Sequence, residues 1–94
     1  MKEEKYSIIR GDRSGVFFGI VEERKGREAK ILKVRQIWYW DGARTILQIA
    51  KDGINKNSKV TVEAKSIILT DVIEIVPCSG KATEAIKGLQ EWKI

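Results

Sequence analysis

Three aromatic residues stand in consecutive positions at Trp38, Tyr39 and Trp40, followed by Asp41 and Gly42, with Arg35 upstream and Arg44 downstream. Rings beside guanidinium groups are the side chains that grip nucleotides. An aromatic face stacks on a base for about 1–3 kcal/mol, and arginine holds phosphate through two parallel N–H···O bonds. Side chains alternate along a strand, so Trp38 and Trp40 are expected to face the core with Leu32 and Val34, while Tyr39 shares the other side with Lys33, Arg35 and Ile37. Three rings in a row put aromatic surface on both sides of one strand, more than so small an interior requires. A helix opening at Gly42 and Ala43 would add free backbone N–H groups and the positive end of its dipole. The plainer alternative is that this segment only anchors the core and starts the helix, with Asp41 as an N-cap that takes up those donors and repels an anion. Trp38, Tyr39, Trp40, Arg44 and Arg35 are the candidate ligand-binding residues.

A second constellation is the turn Arg10, Gly11, Asp12, Arg13, Ser14, Gly15. Two glycines let backbone approach a bound anion closely, and Arg13 joins the candidate set on that account. A Walker-type loop is excluded, since no Gly-Lys-Ser or Gly-Lys-Thr follows to open a helix. An ordinary hairpin turn is the competing reading, and Arg13 can meet Arg44 only if the fold brings them together.

Catalytic chemistry finds little to work with. Histidine is absent, and Cys78, next to Pro77, has no imidazole to activate it. Glu22 and Glu23 sit in a lysine- and arginine-rich segment that reads as solvated surface, and Glu74 reads as the outward side of a half-buried strand. With one cysteine and no histidine, neither a disulfide nor a metal site is expected. The expectation is a non-enzyme without a cofactor.

The elements that must position these residues follow from hydrophobic period and turn chemistry. Residues 6–10 and 16–23 read as strands of a hairpin, and the polar stretch at 24–27 reverses the chain into a long strand at 28–40. Ala43, Ile46, Leu47, Ala50 and Ile54 recur at helical spacing up to Gly53. Residues 59–64 form a strand, and 67–76 hold a turn at Thr70 and Asp71 with another strand, ended by Pro77. Ser79 caps a second helix that carries Ala82, Ala85, Ile86 and Leu89 and stops near Gly88, before an extended tail through Trp92. The expected fold is α+β, with about five strands in a small curled antiparallel or mixed, barrel-like sheet and two helices, in the order β-β-β-α-β-β-α.

Ninety-four residues suit a single domain over 1–94, because a chain this short buries only about 60–65% of its unfolded surface. Hydrophobic residues at 43% and charged residues at 33% exclude a disordered or low-complexity chain. The net charge of +5 suits an anionic partner, although carboxylates interrupt any continuous cationic stripe. No leader-like opening and no apolar run near the roughly 20 residues that span a bilayer is visible, so a cytoplasmic protein with no membrane partner is expected.

The runs at 6–10 and 14–19, the run Arg35, Gln36, Ile37, Trp38, Tyr39, Trp40, Asp41, Gly42, Ala43, and the run at 68–75 together resemble a family of small proteins of tailed bacteriophages and prophages that has no assigned active site. That resemblance implies a chain made in an infected bacterium. Small non-catalytic phage proteins often inhibit host defence, which gives the leading expectation here: a sponge that sequesters an anionic nucleotide-type signal molecule, as a homo-oligomer with its pocket where two chains meet. The alternatives are a protein-interaction module against a host protein or a phage accessory role, and then a nucleic-acid-binding module.

Overall fold

The computed structural model describes residues 5–91. The chain runs β1 (Ser7–Gly11), β2 (Val16–Lys25), β3 (Glu28–Tyr39), α1 (Ile46–Asp52), β4 (Lys59–Val60), β5 (Ala64–Leu69), β6 (Val72–Pro77) and α2 (Gly80–Lys87). The class is the expected α+β, with one more strand than expected because the stretch from Lys59 divides in two. Thr61 causes the division: its hydroxyl, in place of a backbone carbonyl, accepts from Gln36 N at 2.9 Å, and the ladder stops there. The end of the expected tail, at Trp92, lies outside the described residues.

All ladders between the six strands are antiparallel, in the order β4-β3-β2-β1-β6, and β5 lies beside β4 on the outer edge of β3. In a flat sheet β5 and β6 would be four strand spacings, about 19 Å, apart. Only Thr70 and Asp71 join them, and three Cα steps reach about 11 Å at most. The sheet therefore has to curl. Among the described residues no ladder links β5 to β6, so the curl stays open along that seam.

Curling explains why β1 and β2 are apolar in consecutive residues instead of alternating. Ile8, Phe18, Val16 and Ile37 face outward onto the helices, packing with Ile49, Ala50, Ile54 and Ile86. Ile9, Phe17, Ile31, Val34, Leu69 and Val72 fill the inside of the curl. Each such side chain contributes about 1.5–3 kcal/mol by leaving water. Tyr6 and Phe18 stack with ring centres 4.6 Å apart.

β3 carries a bulge. Phe18 pairs with Arg35 but Ile20 pairs with Leu32, and Lys33, the extra residue, has φ 50°. The slip puts Ile31 and Val34 on the same side. The inner cluster takes no β3 residue beyond Val34, so Trp38, further along that side, lies outside both core clusters and is exposed. Ile37 occupies the core position instead. The expectation of a buried Trp38 is thereby overturned.

Candidate functional site

The structure divides the candidate residues into three places. Arg13, Trp40 and Arg44 line one cleft of about 590 Å³, together with Arg10 and the apolar side chains of Val16 and Leu47. Arg13 comes from the β1–β2 turn, Trp40 from the end of β3, and Arg44 from the approach to α1, so no local sequence window holds the set. The floor is apolar because Trp40 is half-buried against the helix-side core. Glu74 and Asp12 also reach the rim, but each is engaged: Glu74 pairs with Arg10 at 3.3 Å and Asp12 with Arg27 at 3.8 Å. Among the described residues no carboxylate pairs with the guanidinium group of Arg13 or Arg44. Two uncompensated cations over an aromatic wall attract a compact anion with a flat apolar part.

Two backbone donors at the start of the helix, Arg44 N and Gln48 N, are taken up by side chains. α1 starts at Ile46, four residues later than the expected opening at Gly42, because Thr45 caps it: Thr45 Oγ1 accepts from Gln48 N at 3.1 Å, and Gln48 Oε1 accepts from Arg44 N at 3.0 Å. Periodicity alone ran the helix back to Ala43, whereas the Thr45 side-chain cap, with Gln48 reaching back to Arg44 N, sets its true start. Asp41 is no cap; its carboxylate accepts from Asn55 Nδ2 at 3.0 Å, and this bond, with further ones from Asn57 and Gly42, holds its pKa below the ordinary range.

The glycine turn holds an anion of its own. Asp71 reaches in from the β5–β6 corner, and its Oδ2 accepts from Arg13 N at 2.8 Å and Ser14 N at 2.9 Å. Its Oδ1 accepts from Ser14 Oγ at 2.8 Å. These bonds lower the Asp71 pKa. The backbone cradle read from the two glycines is therefore an internal clamp, and what the turn offers the cleft is the Arg13 side chain. Its partner lies 58 positions away, beyond any local signal.

Arg35 is not brought to the cleft. Only 7% exposed, it crosses under α2, donating from Nε to Thr61 O at 2.9 Å and from Nη1 to Ile86 O at 3.1 Å. Desolvation lowers its pKa, with Glu63 and Glu91 acting in the opposite sense. Its place is that of a cation tying strand to helix end.

Trp38 and Tyr39 form the third place, 45% and 49% exposed. Lys59, the cross-strand partner of Tyr39, sets its Nζ 5.3 Å from the Trp38 ring centre and 5.7 Å from that of Tyr39. Sequence reasoning missed Lys59, whose only signal is its register opposite Tyr39, and missed Arg10 and Leu47 in the cleft. Cys78 lies apart from all three places, and burial pushes its thiol up to about 11.

Fold and cleft define a small α+β domain: a curled antiparallel sheet backed by two helices, with a tryptophan-walled, arginine-rimmed opening at one end of β3. The chain belongs to the family described as a domain of unknown function, DUF6948, which matches residues 4–86 and so takes in every residue of the cleft. No curated protein and no solved structure matches the chain. Among the described residues no helix is long and apolar enough to cross a membrane, and no group of three or more His, Cys, Asp or Glu is placed to hold a metal ion.

Proposed function

We propose that this protein is a phage-encoded, non-catalytic binder that takes an anionic, base-containing signal molecule into the cleft and so withdraws it from host defence. One observation carries the ligand class: Arg13 and Arg44, supplied by separate elements, face one cavity with Trp40, and neither has an ion-pair partner among the described residues. Trp40 supplies a stacking face, Arg13 and Arg44 take phosphate, and Val16 and Leu47 exclude water from the base. The cleft is open on one side, so a second copy of the chain is proposed to close it over the ligand. The resemblance of the Ile37 to Ala43 run to phage proteins supports the setting.

Calorimetry and thermal melting against mononucleotides, cyclic dinucleotides and ADP-ribose test the reading, with light scattering to read subunit number. The expected result is saturable binding of one class at one ligand per cleft. Arg44→Ala and Arg13→Ala should each weaken it about 10- to 150-fold, the value of a hydrogen bond to a charged group, and leave the free protein's stability within about 0.5 kcal/mol. Absence of binding across the panel removes the proposal.

A further inference from the structure

A strand edge without a neighbour invites another strand, and folded chains blunt such edges with charge, proline, bulges or a covering segment. Among the described residues the sheet has three outer edges, and two of them are blunted. β4 is covered where Val60 bridges Glu91. β6 carries Glu74 paired with Arg10, shifts register beside Gly11 and ends at Pro77, which has no N–H to offer. β5 has no such protection: it holds no proline, a single charge at Lys65, and one unshifted register with β3 from Ala64 to Leu69. Which backbone groups it leaves open follows from the β2–β3 turn. Lys25 and Glu28 close a two-residue turn, so Glu28 bonds to β2, and Ala29 and Ile31 bond to β5. Their partners Leu69 and Ile67 point back to β3. Ser66 and Ile68 therefore present N–H and C=O along the bare edge, where the Ile68 side chain is 61% exposed.

We infer that two copies of this chain pair through the β5 edge, antiparallel about a two-fold axis at Ile68. The edge is complementary to itself about that axis. Ile68 exchanges both of its N–H···O bonds with Ile68 of the second copy, and each exposed side chain is covered by its counterpart. Ile67 of each copy meets Leu69 of the other, which carries the inner cluster across the boundary. Lys65 comes opposite Asp71 of the second copy at both ends of the ladder, so unlike charges face each other and the two lysines stay about 20 Å apart. An axis at Ser66 would instead set Lys65 against Ile67. Because the same edge serves on both sides, the contact closes at two copies. None of residues 64–70 lines the cleft, so this pairing needs no ligand and is separate from closure of the cleft.

A ladder this short covers less than the roughly 1,200–2,000 Å² of a standard interface, so the dimer is reversible, with a dissociation constant of about 10–100 µM. Sedimentation of the ligand-free chain from about 5 µM to about 1 mM should show the mass rising from one chain to two and no further. Ile68→Lys sets like charges side by side on the axis and should stay monomeric throughout. Ile68→Thr keeps a good strand former, folds, and should weaken pairing about 10- to 100-fold. Hydrogen exchange places the contact: the Ile68 amide should slow about 5- to 15-fold between the lowest and highest concentration, while the Ile67 amide, bonded to β3, is protected at both. The inference is overturned if the native chain remains single at the highest concentration, as it would if the edge serves only another protein's strand. It is equally overturned if both Ile68 variants pair as the native chain does, if the mass doubles without slowing Ile68, or if growth continues past two. Nucleotide titration of Ile68→Lys separates this inference from the cleft reading: binding by the monomeric variant sustains the cleft whatever the native mass, and its absence leaves the β5 result standing.

Discussion

Replacing Arg35 by methionine tests whether this cation belongs to the scaffold or to a ligand site. In the structure it makes two well-placed bonds, Nε to Thr61 O at 2.9 Å and Nη1 to Ile86 O at 3.1 Å, the second at the last turn of α2. Hydrogen bonds from a charged group contribute about 1.5–3 kcal/mol each, or about 3–6 kcal/mol for the pair. Part of that is returned in the variant, because methionine keeps the packing of the aliphatic stem and no charge has to leave water. A net loss of about 2–4 kcal/mol follows, which in a domain of this size lowers the Tm by about 10–30 °C. Thermal melts by circular dichroism read the loss, and hydrogen exchange should show it first at the end of α2. Arg35→Lys keeps the charge but reaches one carbonyl at a time, and should melt between the native chain and the methionine variant. A methionine variant that melts with the native chain yet no longer takes nucleotide would refute the reasoning and return Arg35 to the ligand set.

Gly19 lies opposite the β3 bulge, where an added Cβ would come within 2.9 Å of the Leu32 carbonyl oxygen and 3.2 Å of Val34 Cα. Backbone cannot yield there as a side chain would, so Gly19→Ala should cost about 1–3 kcal/mol, measured as a lower urea midpoint at unchanged slope. Asp71 has a folded-state pKa depressed by its bonds to Arg13 and Ser14, so the stability it contributes is complete above the unfolded carboxylate pKa of about 4 and is lost as pH falls below that. Asp71→Asn should melt lower at neutral pH and show a flatter Tm profile below about pH 4; identical acid profiles would mean that the clamp has no such role. The Cys78 thiol, pushed up to about 11 by burial, should react with iodoacetamide at pH 7.5 far more slowly than in the urea-unfolded chain, read by mass spectrometry.

What could be read from the sequence was what local chemistry dictates. The β1–β2 hairpin, the reversal before β3, read at 24–27 and found tightened to Gly26 and Arg27, the Ser79 cap of α2 and the break at Thr70 and Asp71 all announce themselves within four or five residues. The misreadings share another origin: each depends on a partner distant in sequence. The bulge at Lys33 exists because Gly19 leaves room across the ladder, and it shifted which β3 side chains reach the core. Thr61 ended β4 through a bond to Gln36. The cleft was half legible, since Trp40, Arg44 and Arg13 were singled out by residue type, but their meeting is a property of the curl. Arg35 was misplaced because guanidinium chemistry serves a helix end as well as it serves a phosphate.

The corner at Asp71 and Val72 does more than turn the chain. Asp71 O accepts from Asp12 N at 2.8 Å, its carboxylate holds Arg13 and Ser14, and Val72 N donates to Arg27 O at 2.9 Å, so one corner fastens both hairpin turns. The arginine at the rim of the cleft is therefore aimed by a residue made 58 positions later. A chain still emerging from the ribosome can form its first hairpin while Arg13 swings without a fixed direction. Arg13 is aimed only after the distant corner docks, a non-local step of the kind that slows folding. The rim of the cleft is thus completed only when folding is nearly finished, so the cleft and the curl form as one event.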